Sequence, residues 1–264
     1  MIGWRKWVLR GQQRVTISSL LGAYPYYTEI QEMGRPGFHN QYHSLQFRAT
    51  RPLADGYHFI AIYVWDLDQY QQFLGNTLDE FLNTPRYIPR LDPRHRVNLV
   101  LVSELPFGHN RKFLNRTNRF LDGAVGGWDF SAIYTWRSGS FIGVGDWIMA
   151  GNPVLSKQTG NQWFDGSAFT RKTDPYALRT TPAFLPGLTN PGSWNLDTTM
   201  SKEFRLTERF RLEFRLEAYN ATNTWLSANP RTNVDEAVTF GRIIATDYPR
   251  TSSRYCQYQL RFNF

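Results

Sequence analysis

The chain has 264 residues, a formal net charge of +8, 41% hydrophobic residues and 16% aromatic residues. This length corresponds to one large domain or two small ones. Lys and Arg are spread along the chain without a run of five, which argues against nucleic-acid binding. The absence of an apolar run of 18 residues excludes a transmembrane helix, and the single cysteine, Cys256, excludes an internal disulfide. Many aromatic but few aliphatic side chains are typical of membrane barrels, and also of carbohydrate-binding β proteins.

The first 40 residues carry the weakest pattern. We predict a poorly defined N-terminal segment over residues 1–40, with a possible strand at 14–21, and a barrel portion over residues 41–264. No secretory signal peptide is recognised in the chain, which fits a fragment of a longer protein.

The next stretches alternate between apolar and polar residues. Segments 41–50 and 57–67 predict a hairpin around a short turn at 51–56, and the polar segment 68–96 predicts a long loop. Strands are also expected at 97–105 and 128–137, joined by a basic segment that ends in glycine. Residues 138–193 form the longest irregular stretch, and loops of that length are usually functional.

The clearest alternation covers residues 209–219 and predicts a strand paired with 194–204 across a turn at 205–207. Its apolar side consists of Phe210, Leu212, Phe214, Leu216 and Ala218. The other side is charged, and we predict that it forms a lumen-facing ladder of Arg209, Arg211, Glu213, Arg215 and Glu217. A loop at 220–253 separates this strand from a last strand at 254–264, whose apolar side carries Tyr258, Leu260, Phe262 and Phe264.

Such alternation fits either a soluble sandwich or a membrane barrel. The last two strands are long enough to cross a bilayer, which takes about 9–11 residues, whereas soluble strands usually have about 5–6. Connections that alternate between long and short are typical of outer-membrane barrels. We therefore predict an all-β fold, an antiparallel transmembrane β-barrel represented by about seven or eight strands, with long extracellular loops.

A set of short motifs occurs in one order along the chain. They are YHSLQ (42–46), YVW (63–65), DPRHR (92–96), LPFG (105–108), GGWDFS (126–131), WFD (163–165) with AF (168–169), WNLD (194–197), FRLTER (204–209), EAYN (217–220), FGRI (240–243) and the terminal Phe264. The ordered set resembles the C-terminal barrel region of Oar-like TonB-dependent outer-membrane receptors, the type with a carboxypeptidase-regulatory-like N-terminal domain.

The resemblance implies location in the bacterial outer membrane and uptake of a scarce nutrient, powered through the TonB system if a plug is present elsewhere. It also implies that Tyr258, Leu260, Phe262 and Phe264 are the signal read by the barrel assembly machinery. The other partners it implies are outer-membrane lipid and lipopolysaccharide. The plug, the TonB-contacting box and most of the roughly 22 strands of such a transporter are not found in this sequence.

Candidate sites for chemistry are weak. The five histidines, His39, His43, His58, His95 and His109, have no metal-ligand spacing, so we predict no metal site. We also predict no cofactor and no enzymatic activity. Two alternatives remain: a self-standing small barrel with a passive or structural role, or a soluble β-sandwich that binds glycans through Trp147, Trp163 and Trp225.

Overall fold

The computed structural model describes residues 39–72, 86–89, 93–116, 118–145, 147–174, 180–244 and 253–264. The chain divides into two compact units, Met1–His39 and Asn40–Phe264. Only His39 of the first unit is described, so the strand predicted at 14–21 lies outside the described residues.

Ten strands and one α-helix are present in the described residues. They are β1 (Asn40–Ala54), β2 (Tyr57–Gln72), β3 (Arg86–Pro89), β4 (His95–Glu104), α1 (Arg119–Val125), β5 (Trp128–Arg137), β6 (Ile148–Met149), β7 (Phe169–Thr170), β8 (Ser193–Arg205), β9 (Arg211–Tyr219) and β10 (Tyr255–Asn263). A single 3₁₀ turn (Gly166–Ala168) precedes β7. The α-helix has seven residues, and no described helix is long and apolar enough to span a bilayer.

One large antiparallel sheet contains seven of these strands in the order β1-β2-β4-β5-β8-β9-β10, and β3 pairs with the end of β2. The sheet is open, with β1 and β10 at its two edges. The all-β antiparallel architecture expected from the sequence is confirmed. Five of the seven strands have ten or more residues, enough to cross a bilayer, and β9 and β10 have nine each.

The register of the sheet separates two faces. The apolar face is illustrated by a row that crosses five strands, in which Phe47 lies opposite Tyr63, then Val97, Trp136 and Trp194. The reverse side, called the mixed face here, carries charged residues on β8, β9 and β10. Because side chains alternate along every strand, residues two positions away from this row lie on the same face as the row.

The turns at one end of the sheet, called the turn end, are mostly short. Asp55 and Gly56 alone connect β1 to β2, with φ angles of 54° and 82°, the left-handed geometry of a tight hairpin. The predicted turn at 51–56 was therefore too long. Thr207 Oγ1 accepts a hydrogen bond of 3.0 Å from Phe210 N and organises the β8–β9 turn, which places Arg209 outside β9.

The third connection at the turn end does not follow the predicted alternation of long and short. Residues 105–127 join β4 to β5 and contain α1. This connection lies at the turn end because Glu104 N donates a 2.7 Å hydrogen bond to Gly56 O. The prediction of short connections throughout that end was wrong.

At the opposite end, called the loop end, two long connections fold together into what we call the loop lobe (described residues 138–145, 147–174, 180–192 and 220–244). Its core consists of Ile142, Val144, Phe164, Ala168, Phe169, Leu185 and Leu188. Trp163 N donates to Gly241 O at 2.7 Å and Ile243 N to Gly160 O at 2.8 Å, so the two connections are bonded to each other. Residues predicted to be irregular loops thus form the main hydrophobic cluster among the described residues.

Candidate functional site

Four of the five residues predicted to form a charged ladder lie on the mixed face of β9, and their orientation toward a lumen stays a prediction. Arg211, Glu213, Arg215 and Glu217 all point to this side, whereas Arg209 lies in the preceding turn. Arg215 Nη2 is 2.9 Å from Glu213 Oε1, and Arg215 Nη1 is 3.7 Å from Glu217 Oε1. Arg215 is therefore shared between two carboxylates of its own strand.

Two like-charged pairs face each other directly across β8 and β9, an arrangement that destabilises a sheet. Glu203 lies opposite Glu213, and Arg205 lies opposite Arg211. Contacts between opposite charges relieve both repulsions. Glu203 Oε1 lies 3.6 Å from Arg205 Nε on its own strand and 3.7 Å from Arg211 Nη1 on the neighbouring strand. The ladder is thus paired with charges of its own strand and of β8, and its contribution to stability is that of exposed ion pairs, about 0–1 kcal/mol each.

A second polar cluster lies on the mixed face at the loop end. Asp66 is buried, with 6% of its surface exposed, and accepts hydrogen bonds from Tyr42 Oη at 3.0 Å and from the Arg96 guanidinium. These contacts tie β1, β2 and β4 together. Asp68 is the acidic residue next to Asp66 in the sequence, but the hydrogen-bond partners of Asp66 come from the neighbouring strands β1 and β4.

A cavity of about 310 Å³ adjoins this cluster. It is lined by Arg96, Asn98, Thr135, Trp136, Arg137, Ser193, Trp194, Asn195 and Leu226. Leu226 belongs to the loop lobe, so the lobe and the mixed face share this cavity. Arg137 Nε donates to Ser193 Oγ at 2.8 Å, and in the described part of the chain Arg137 has no acidic partner. This leaves a cationic group at the wall of a cavity large enough for a small solute.

The centre of the mixed face is unexpectedly apolar on β2, β4 and β5. What we call the mixed-face patch consists of Ile60, Ile62, Val64, Val100, Val102 and Ile133, whose positions are joined by the Ile60–Val100 and Val100–Ile133 pairings. Val102 and Ile133 are among the exposed large hydrophobic residues, at 40% and 47%. Sequence reasoning followed only the other side of β2 and missed this patch.

The aromatic residues considered for glycan binding have different surroundings. Trp147 and Trp163 pack against the loop-lobe core, and Trp163 Nε1 donates to Thr189 O at 2.8 Å. Trp225 is 72% exposed. Trp147 and Trp163 therefore stabilise the lobe, whereas Trp225 is exposed to solvent.

The apolar residues of the last strand lie on the apolar face of β10. Tyr258, Leu260 and Phe262 are opposite Leu216, Phe214 and Leu212 of β9, and Phe264 follows the strand. All four are strongly exposed, from 52% for Phe262 to 84% for Phe264. Their role as an assembly signal stays a prediction. In the described ranges, no group of His, Cys, Asp or Glu side chains is arranged to hold a metal ion.

The comparison with protein families decides which environment the apolar face meets. Residues 10–257 match the model of the outer membrane beta barrel domain. The chain belongs to this family. Its location is therefore the bacterial outer membrane, where the apolar face of a barrel contacts lipid. This assignment is incompatible with the alternative of a soluble glycan-binding sandwich. No curated protein and no solved structure matches the chain.

Proposed function

We propose that this barrel domain is part of the wall of a TonB-dependent receptor that takes up a scarce solute, and that it acts by binding and passage without covalent chemistry. The motifs in their order along the chain support the receptor type. The observation that carries the proposal is the mixed-face patch. A water-filled passive channel would expose this apolar surface to water, whereas a receptor with a plug would cover it.

The size of the patch supports this argument. Ile60, Val100 and Ile133 lie side by side on three adjacent strands, at the middle of the wall. Fully burying an aliphatic side chain stabilises by about 1.5–3 kcal/mol, so covering several of them favours a resident protein segment strongly. The plug of the receptor type is the occupant that this chemistry fits.

The cavity at the loop end supports a binding step before passage. Arg137 lacks an acidic partner among the described residues, whereas Arg96, which lies beside it on β4, is paired with Asp66. Guanidinium groups bind carboxylate and phosphate oxygens with charge-assisted hydrogen bonds. A solute carrying such an anionic group is therefore the class that we propose for this receptor.

The test is conductance of the full-length protein in planar lipid bilayers. The expected result is no steady conductance, because the lumen is occupied. Ile133→Asp should weaken the contact between wall and plug and raise conductance, whereas the control Gln259→Asp, on the mixed face of β10 away from the patch, should not. A stable open channel in the unmodified protein would instead favour the self-standing passive barrel.

A further inference from the structure

The connection between β4 and β5 is a folded segment at the turn end, which we call the foot (residues 105–127). Its basic residues are Arg111, Lys112, Arg116 and Arg119, and its one acidic residue is Asp122. The other two connections at this end of the sheet are short turns. The foot joins two antiparallel neighbours in the same way but is far longer than a hairpin turn.

Two side chains of the apolar face hold the foot in place. Lys202 and Trp128 are paired across β8 and β5 on that face. Lys202 Nζ donates to the carbonyl oxygens of Gly123 and Gly126, and Trp128 Nε1 donates to Ala124 O at 2.9 Å. The C-terminal end of α1 therefore lies against the side of the wall that contacts lipid.

These contacts explain a lysine in an apolar row. Lys202 is only 5% exposed, and its ammonium group lies 5.0 Å from the ring of Phe204 and 5.8 Å from that of Trp128. The last carbonyls of a helix lack partners within the helix and carry partial negative charge. A cation that satisfies them is stabilised there, and it fixes the helix end to the rim of the barrel.

The foot is compact, because the backbone at Gly108 closely approaches Gly126 and Asp122. A Cβ at Gly108 would lie 2.7 Å from Gly126 Cα and 2.7 Å from Asp122 Oδ1, and the φ of Gly108 is +114°. Asp122 accepts a hydrogen bond from His109 N, and the rings of Phe107 and Phe113 are 5.7 Å apart. The segment is therefore built as a unit with a defined outer surface.

That outer surface combines aromatic and basic side chains. Phe120 is 93% exposed, and Phe113, Leu114 and Leu121 are each 48% exposed. Lys112 lies over the ring of Phe113 at 5.6 Å, and Arg116 is exposed. Apolar side chains with Lys and Arg beside them are the composition of surfaces that lie in the headgroup region of a bilayer.

We propose that the foot is a membrane-interface anchor that binds anionic phospholipid at the turn-end rim of the barrel. The foot is continuous with the apolar face of the barrel, because it is hydrogen-bonded to Lys202 and Trp128 on the face that contacts acyl chains. This continuity supports the assignment. Charge complementarity selects the headgroup. Arg111 is paired with Glu104 at 2.8 Å and Asp122 is engaged within the foot, whereas Lys112 and Arg116 are exposed cationic side chains. The aromatic residues then lie at the depth where aromatic girdles lie in barrels.

The test measures the depth of Phe120 in vesicles that contain the reconstituted chain. Cys256 is replaced by serine, and a single cysteine at Phe120→Cys carries an environment-sensitive fluorophore. Glu208→Cys, exposed in the β8–β9 turn at the same end, is the matched control. Lipids brominated near the top of the acyl chain should quench the label at position 120 by at least about twofold more than the label at position 208, as expected for an interfacial segment.

The anionic preference is tested in the same system. Adding phosphatidylglycerol to phosphatidylcholine vesicles should increase quenching at position 120, and the double variant Lys112→Ala/Arg116→Ala should remove that increase. A label at position 120 that is as accessible to an aqueous quencher as the label at position 208 would overturn the proposal. So would a label shielded from water but not quenched by lipid, because protein would then cover the foot.

Discussion

Replacement of Phe164 by alanine tests whether the loop lobe is a folded unit. Phe164 is fully buried, and its ring makes edge-on contacts with Phe240 at 5.2 Å and Phe169 at 5.9 Å. Phe240 comes from the second of the two connections that form the lobe. The ring therefore joins both connections, and its removal leaves a cavity where they meet.

The expected cost follows from this burial. Truncation of a core phenylalanine to alanine destabilises by about 3–5 kcal/mol. Each 1.4 kcal/mol changes an equilibrium constant about tenfold, so opening of the lobe should become at least about a hundredfold more frequent. None of the strands of the large sheet makes these contacts, so Phe164→Ala should leave the barrel wall intact.

The assay is the rate at which chymotrypsin cleaves the lobe of the membrane-embedded protein. When opening and closing are faster than cleavage, this rate follows the population of the open form. Val238→Ala is the control, because Val238 lies in the same lobe but is 75% exposed. Equal cleavage rates for Phe164→Ala and Val238→Ala would refute the idea of a cooperative lobe core.

Three further changes test other parts of the structure. Gly56→Ala should destabilise the protein by about 1–2 kcal/mol in urea titrations, because an L-residue is strained in the left-handed turn; Gly123→Ala, where added volume meets no atom within 4 Å, should not destabilise it. Asp66→Asn should cost about 1–3 kcal/mol by weakening the hydrogen bonds to its buried carboxylate, seen as a lower urea midpoint with an unchanged slope. Deletion of Phe264 should lower the amount of protein in the outer membrane more than Phe210→Leu does, and equal amounts on membrane blots would argue against an assembly signal.

Strand positions could be predicted where alternation and turn residues agree. The strand over residues 128–137 has the bounds predicted, because Gly126 and Gly127 precede it and Gly139 follows soon after it. The first strand was predicted too short, because Pro52 suggested a turn. Pro52 is instead tolerated on an edge strand, at the register shift between Arg51 and Ala54.

The lobe core and the foot could not be predicted from local patterns. Phe164 and Phe240 both lie in irregular segments and are more than seventy residues apart in the sequence, so no periodicity of the sequence links them. Lys202 interrupts an apolar row, and its partners are carbonyl groups of a distant helix, which the sequence does not reveal. The ladder on β9 was predicted because it depends on alternation alone, and Arg209 falls outside the strand because the turn residue Thr207 ends the regular pairing.

The orientation of β9 is the most direct test of the account as a whole. Single cysteines placed from position 211 to position 218, in a chain with Cys256→Ser, would carry a fluorophore and be exposed to brominated lipids in vesicles. Labels at Leu212, Phe214, Leu216 and Ala218 should be quenched, and labels at Arg211, Glu213, Arg215 and Glu217 should not. Equal quenching at both sets, or quenching of the charged positions instead, would contradict a barrel wall with its apolar face in lipid.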